Sequence, residues 1–224
     1  MAWSVDDIYR FTRFLCNKNQ AGGISATDLF YAWNGEQASY HEDLLGRWQA
    51  RAADKTGPNI GMIQDETVLL KLAPFTILVN IPIVSGYAPW PSDFIYGAAL
   101  RINGQKVYHF NKDERWSIEE DVIDPPSIAE NSYYYTEYDK KFLILPTNAP
   151  SIDLDYIASP QDIQWAYTLD GNNRQIYNPA TSIQPKWTAN TIIEITKRTL
   201  KGFGLHFSDK SFEEFGNSNI ITGN

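Results

Sequence analysis

All twelve prolines of this 224-residue chain lie between Pro58 and Pro185. Proline lacks a backbone N–H and clashes with the preceding turn, so it interrupts helices. Both ends are therefore free to form long helices, while the middle is expected to consist of strands and turns. The pattern predicts an α+β fold, in which N- and C-terminal helices flank a central antiparallel β-rich region, sandwich- or barrel-like.

We expect a single domain over residues 1–224. It would be helical over 1–56, β-rich over 60–187 and helical again over 188–216. A chain of this length can bury roughly 70–75% of its unfolded surface in one core. No disulfide or metal is therefore needed for stability.

Local signals place the two N-terminal helices. Ser4 suits the N-cap of a helix that runs to about Cys16, with carboxylates in its first turn. Ser25 and Asp28 then open a longer helix. At about 100° per residue, its apolar residues form one stripe: Leu29, Trp33, Tyr40, Leu44 and Trp48.

Two hairpins are predicted in the middle region. Asn103-Gly104 separates two apolar runs, and both residues tolerate the positive φ that a two-residue turn requires. We expect the second strand of this hairpin over 106–110. A second hairpin joins residues 133–136 to 142–145.

Two further strands follow from apolar alternation. Ile77, Val79, Ile81 and Ile83 alternate in the first, which Pro82 confines to a sheet edge. The second has apolar residues facing inward and polar residues facing outward: Ile152, Leu154 and Tyr156 against Ser151, Asp153 and Asp155.

The C-terminal helix is expected to start with a capping box formed by Thr191 and Glu194, and to end at Gly202 or Gly204. Its apolar residues cover one broad face: Ile192, Ile193, Ile195, Leu200 and Phe203. Glu194 and Arg198 pair on the opposite face. A last short helix is predicted from Ser208 or Ser211.

Charge and aromatic content bear on partners. The chain carries 27 acidic and 19 basic residues, a formal net charge of -8. An acidic surface argues against tight DNA binding, although like charge suits a channel wall that DNA slides past. Seven Trp, thirteen Tyr and eleven Phe exceed what one core comfortably holds, and predict an extended aromatic contact surface.

Cofactor and metal signatures are absent from the sequence. The three histidines, His41, His109 and His206, lack ligand spacing, and Cys16 is the only cysteine. No Walker motif occurs, and Gly202-Phe203-Gly204 follows a helix, whereas a dinucleotide fingerprint follows a strand. We expect no catalytic, cofactor-binding or metal-binding residues.

No signal peptide or 20-residue apolar stretch is found, so we expect a soluble protein made in the cytoplasm.

Two clusters leave alternatives open. Asp153 and Asp155 point to one side of a strand, and glycoside hydrolysis uses paired carboxylates, yet alternate acids are also the normal solvated face of a strand. Lys197, Arg198 and Lys201 could touch DNA in a lumen. The reading that we favour is that they complement the negative end of the last helix.

Several segments, in order along the chain, resemble one family. Residues 14–25 (Phe-Leu-Cys-Asn-Lys-Asn-Gln-Ala-Gly-Gly-Ile-Ser) are similar to a helix ending in Asn-Lys followed by a glycine loop, although Ala26 replaces a frequent proline. The other segments are 91–96, 151–160, 164–168, 182–187 and 192–204. The family is the virion structural proteins of the neck and tail, including head-to-tail connectors, of crAss-like and related short-tailed bacteriophages.

The resemblance implies a structural subunit and brings no catalytic residues. The chain would form a homo-oligomeric ring of about twelve copies below the portal, in contact with portal, other ring or tail proteins. DNA would pass through the lumen without specific binding, and no membrane would be involved. The location would be the virion neck or tail, after assembly in the host cytoplasm. Interface candidates are Trp3, Trp48 and Phe203.

Two other readings remain open. A carbohydrate-binding or glycan-cleaving tail component would use the aromatic residues as sugar platforms and Asp153 as an acid. The third reading is an unrelated cellular domain.

Overall fold

The computed structural model describes residues 3–18, 24–53, 67–121 and 125–204. The helices are α1 (Val5–Lys18), α2 (Ala26–Ala53), α3 (67–72), α4 (Arg115–Glu119) and α5 (Ala189–Gly202). The strands are β1 (Thr76–Pro82), β2 (Tyr87–Pro89), β3 (Phe94–Ile102), β4 (Gln105–Lys106), β5 (Tyr108–His109), β6 (Tyr134–Tyr138), β7 (Lys141–Leu145), β8 (Ser151–Ala158), β9 (Tyr167–Leu169) and β10 (Gln175–Tyr177). The α+β class with terminal helices around a β-rich middle is confirmed.

The chain divides into two compact units. The helical unit comprises Met1–Pro74 and Pro160–Asn224, and the sandwich unit comprises Phe75–Ser159. The strands of the β-rich region expected over 60–187 are thus divided between the two units, because β9 and β10 belong to the helical unit. The single domain expected over 1–224 stays a prediction. The short helix expected from Ser208 or Ser211 lies outside the described residues.

The N-terminal caps of α1 and α2 are confirmed. Ser4 Oγ accepts a hydrogen bond from the Asp7 backbone N–H at 3.1 Å, and Ser25 Oγ accepts one from Asp28 N–H at 3.1 Å. Each cap satisfies a backbone donor that has no partner inside the helix. The predicted apolar stripe of α2 is buried from Leu29 to Leu44, while Trp48 is half-buried.

The start of α5 differs from the prediction. The N-cap is Thr188, so the capping box proposed for Thr191 and Glu194 is wrong. Thr191 lies inside the helix and is buried, because α5 packs against α2 with three threonines as well as its apolar residues. The predicted end is confirmed: α5 stops at Gly202, and Gly204 has a φ of +75°.

The sandwich unit contains two four-stranded sheets. Their orders are β1-β8-β3-β4 and β2-β7-β6-β5, antiparallel except for the β5–β6 pair. One core cluster combines residues of both sheets, among them Leu154 and Tyr156 from the first and Phe142 and Ile144 from the second. The sheets therefore pack face to face around a shared apolar layer.

Strand β8 is central in its sheet, and its alternation is confirmed. Ile152, Leu154 and Tyr156 are buried, while Asp153 and Asp155 are half-buried on the opposite face. Its neighbour β1 lies at the edge of the sheet, where Pro82 needs no backbone donor.

Both predicted hairpins form. Asn103 and Gly104 adopt φ values of 51° and 78°, and Arg101 pairs with Lys106 across the turn. The turn of the second hairpin is Asp139-Lys140, again with positive φ at both residues. Two positive φ values match the right-handed twist of the paired strands.

The strand predicted over 106–110 is divided. Strand β4 (Gln105–Lys106) is an edge strand of the first sheet. Strand β5 (Tyr108–His109) pairs with β6 in the second sheet. Val107 is buried between them, with its N–H bonded to the Leu100 carbonyl at 3.2 Å. The chain crosses from one sheet to the other at this residue, because Val107 and Phe110 both gain burial in that way.

Candidate functional site

A two-stranded antiparallel hairpin, residues 167–177, stands out in the helical unit; we call it the exposed hairpin. Tyr167 pairs with Tyr177, Thr168 with Ile176, and Leu169 with Gln175. Among the described residues no third strand joins it. Its backbone edges are therefore open to pairing.

The turn of the exposed hairpin is held by Asp170. Its Oδ1 accepts hydrogen bonds from the backbone N–H groups of Asn172 and Arg174, both at 2.8 Å. The Asp170 backbone N–H also donates to the Arg174 carbonyl oxygen at 3.0 Å, and Asn173 has a φ of 57°. Asp, Gly and Asn favour such a turn because they tolerate positive φ or bond to their own backbone.

Trp165 anchors the base of the exposed hairpin. Its ring stacks on Tyr177 with centroids 6.1 Å apart and contacts Tyr9 of α1 at 4.8 Å. Its Nε1–H donates to Asp6 Oδ1 at 3.0 Å. Gln184 adds a 2.8 Å hydrogen bond from its Nε2 to the Tyr177 hydroxyl. The hairpin is thereby fixed to the helices of its unit.

Large apolar side chains cover both faces of the exposed hairpin. Tyr167 and Leu169 are 48% and 59% exposed on one face, and Ile176 is 52% exposed on the other. Alternate residues of a strand point to opposite faces. Packing one face of the hairpin against a core would therefore leave either Ile176 or the pair Tyr167 and Leu169 exposed. This local concentration of apolar surface is typical of an interaction site.

The sequence interpretation missed the exposed hairpin. Residues 164–168 entered only through the family resemblance, and 175–177 were not assigned to a strand. The available signal was Asp170-Gly171-Asn172-Asn173, a turn-type run between two short apolar segments. Strands of three residues are too short for alternation to show which faces are exposed.

The three interface candidates all lie in the helical unit. Trp3 is half-buried and packs edge-on against Phe11 at 5.4 Å, so much of its ring serves the core. Trp48 is half-buried on α2. Phe203 follows α5 and is 40% exposed, whereas Ile192, Ile195 and Leu200 of the predicted apolar face are buried. Their role in an interface stays a prediction.

Asp153 and Asp155 lie on the outer face of the first sheet, as expected. Asp153 Oδ1 accepts a hydrogen bond of 2.8 Å from Asn80 on β1, and Arg101 is its register partner on β3. Asp155 is flanked in register by Leu78 and Ala99. Asp153 is thus held in a polar row across three strands.

The basic residues of α5 belong to a mixed-charge network. Arg198 contacts Asp43 at 3.2 Å and Glu194 at 3.6 Å. Its guanidinium also lies over the Tyr40 ring, 4.7 Å from the centroid. Arg198 and Lys201 line an open hollow of about 420 Å³ together with Glu36. Acidic neighbours offset the positive charge here, which weakens the case for a DNA contact.

A partly buried chain of hydrogen bonds continues this network. The Lys71 Nζ donates to the Tyr40 hydroxyl at 2.6 Å, and that hydroxyl donates to Glu194 Oε2 at 2.8 Å. Burial on its own would raise the pKa of Glu194, but the bonds from Tyr40 and Lys71 and the charge of Arg198 lower it. Glu194 therefore acts in joining α2, α3 and α5.

The histidines are separate. His41 is buried beside Trp187, with ring centroids 6.0 Å apart, and burial lowers its pKa to about 4. His109 is exposed on β5 against Tyr135, and His206 lies outside the described residues. Within the described ranges no group of three or more His, Cys, Asp or Glu is placed to hold a metal ion.

Cys16 is buried in α1, and burial raises the pKa of its thiol. A buried neutral thiol packs as a small apolar residue. Among the helices that the structure describes, none is long and apolar enough to span a bilayer.

The sandwich unit has an open side. Among the strands that the structure describes, none pairs with residues 94–99 of β3 on the side away from β8, because β4 pairs only with Arg101 and Ile102. On β6, residues 136–138 likewise have no strand neighbour on the side away from β7 in the part of the unit that the structure describes. A cavity of about 40 Å³ opens between them.

The cavity is bounded by β3, β6 and the core beneath. Gly97, Ala98 and Ala99 form one wall, Tyr135 and Glu137 the other, and Phe142 and Leu154 lie below. Burial, followed by the neighbouring charges of Glu137 and Tyr96, raises the pKa of the Tyr135 hydroxyl. Glu137 places a carboxylate at the wall of this small cavity.

No protein-family model matches this chain, and a search of curated proteins found no match.

Proposed function

We propose that this protein is a structural subunit of a bacteriophage neck or tail, which forms a homo-oligomeric ring below the portal, connects head to tail and lines the DNA channel. The observation that carries the proposal is the exposed hairpin, which has large apolar side chains on both faces of its strands and a turn held by hydrogen bonds to Asp170. The order of family-like segments along the chain supplies the setting.

A two-stranded hairpin on its own is marginally stable in water. Here Asp170, Trp165 and Gln184 hold it in place, although Tyr167, Leu169 and Ile176 stay in solvent. Covering three such side chains would contribute several kcal/mol at about 25 cal/mol per Å² of apolar area. An element built in this way suits assembly, where a neighbouring subunit covers it.

The charge balance agrees with a passive channel. With a net charge of -8, the subunit would repel the phosphates of passing DNA. Arg198, the one arginine of α5, forms ion pairs with Asp43 and Glu194. Such a wall would let DNA slide without strong binding.

Mass spectrometry of purified phage particles tests the proposal. We expect this chain among the structural proteins, at a copy number equal to that of a ring component. Negative-stain microscopy of the purified chain should show closed rings. Particles that infect normally but lack the chain would overturn the proposal.

A carbohydrate-binding tail component is the second candidate. The aromatic series Tyr9, Trp165, Tyr167 and Tyr177 favours it, because sugars stack on neighbouring aromatic rings. A glycan array with the purified chain discriminates between the two. Binding lost in Trp165→Ala would support a lectin, and reducing-sugar release lost in Asp153→Asn would support cleavage. The connector proposal expects neither.

A further inference from the structure

We propose that the exposed hairpin of one copy adds as an extra pair of strands to the open edge of β3 in the next copy, with Arg174 of the hairpin facing Glu137. This inference rests on the proposed ring function and names the two surfaces that meet. They differ from each other, as a head-to-tail ring interface requires.

The donor surface is an element with unused backbone bonds. Neither β9 nor β10 pairs with a third strand among the described residues, so no described strand uses their outer N–H and C=O groups. Its turn is already fixed by Asp170. Binding would therefore cost little further ordering of the hairpin backbone.

The acceptor surface offers the matching edge. Residues 94–99 of β3 include exposed Ile95 and Ala98, and Gly97 has no side chain to block an incoming backbone. An added strand would continue the sheet beyond β3 and cover the cavity between β3 and β6. Main-chain hydrogen bonds would give the affinity, and side chains that enter the opening would give the specificity.

Charge selects the partner. Glu137 is an exposed acid at the wall of the cavity, and Arg174 is an exposed base at the turn of the hairpin. Two copies of a chain with net charge -8 repel each other overall. A head-to-tail contact therefore gains from a local pair of opposite sign. Residues 167–177 contain one acid and one base, so the hairpin adds no net charge to the contact.

A charge-swap series tests the pairing in the full-length chain. Arg174→Glu and Glu137→Arg are each expected to weaken self-association by about tenfold, because like charges then face each other. The double variant should recover most of the loss. Lys186→Glu and Glu130→Arg are the matched controls, since both residues are exposed and change the net charge equally. Sedimentation over a concentration series measures each dissociation constant.

Hydrogen exchange tests the edge itself. On assembly of the wild-type chain, the amides of residues 94–99 and 167–177 should exchange at least tenfold more slowly. The Glu137→Arg variant, kept at a concentration where it is monomeric, should show no slowing.

Several outcomes would overturn the inference. One is a wild-type chain that stays monomeric at high concentration; another is assembly that ignores both single variants, or a double variant that does not recover. Protection of β3 by a different tail protein would assign the edge to that partner. A monomeric wild-type chain would also count against the ring function, whereas the other outcomes overturn only this pairing and leave the ring function to its own test, the presence of the chain in particles.

Discussion

His41 is a buried group whose titration opposes folding. Burial lowers its pKa to about 4 from an ordinary value of 6.5. Between pH 6.5 and 4, His41 is protonated in the unfolded chain but stays neutral in the folded chain. The free energy of unfolding is therefore unaffected by His41 above pH 6.5 and decreases as the pH falls towards 4. Below about 4 both states are protonated, and the loss stops. The loss amounts to at most about 3 kcal/mol.

Replacing His41 with leucine should remove that pH dependence. Denaturant unfolding at pH 7 and pH 4.5 gives the free energy of unfolding of the wild type and of the variant. The contributions of carboxylates that titrate in both proteins cancel when the two are compared. We expect the wild type to lose about 2 kcal/mol more than His41→Leu across this range. Equal losses in the two proteins would show that His41 does not stay neutral when folded.

The Tyr40 hydroxyl joins Lys71 and Glu194. Its removal in Tyr40→Phe leaves both partners with one hydrogen bond fewer in a partly buried site, and should cost about 1 kcal/mol. Tyr31→Phe is the control, because Tyr31 is 85% exposed and should change the free energy of unfolding by less than about 0.5 kcal/mol. Equal effects on the two melting curves would deny the network a stabilising role.

At the scale of elements, two hairpin turns differ in the backbone conformation of their glycine. Gly104 has a φ of +78°, whereas Gly171 of the exposed hairpin has no positive φ, and an added Cβ meets no atom at either position. Gly104→Ala should therefore destabilise the sandwich unit by about 1–2 kcal/mol, and Gly171→Ala should be nearly neutral. Thermal unfolding of both variants measures the difference. A neutral Gly104→Ala would mean that the turn adopts another conformation.

Elements with local signals could be predicted from the sequence. Ser4 and Ser25 locate the helix starts, Asn103-Gly104 locates a hairpin, and Pro82 indicates an edge strand, because each acts on its own neighbouring backbone. The start of α5 was misplaced by three residues: Thr188 and Thr191 are both acceptable caps, and only burial against α2 decides between them.

The candidate site depended on contacts between distant residues. The crossing of the chain at Val107 and the exposure of Ile176 follow from which strands meet, and alternation does not encode that. Trp3 illustrates the same limit, since its aromatic character fitted an interface while its ring packs against Phe11. The number of aromatic residues in the sequence predicted a contact surface, but it did not indicate which residues form that surface.

At the scale of the whole molecule, self-association should depend on the exposed hairpin. Leu169→Ser removes apolar area from it, and Leu70→Ser removes a similarly exposed leucine of the same unit, 65% against 59% exposed. We expect Leu169→Ser to raise the dissociation constant about tenfold and Leu70→Ser to leave it unchanged. Light scattering over a dilution series measures both. The reverse order would move the interface away from the exposed hairpin.

Electron cryo-microscopy of intact particles, averaged around the tail axis, tests the connector function most directly. We expect a closed ring below the portal whose density fits copies of both units of this chain, with β9 and β10 covered by a neighbouring copy. A neck and tail fully explained by other proteins, together with a purified chain that stays monomeric, would contradict it.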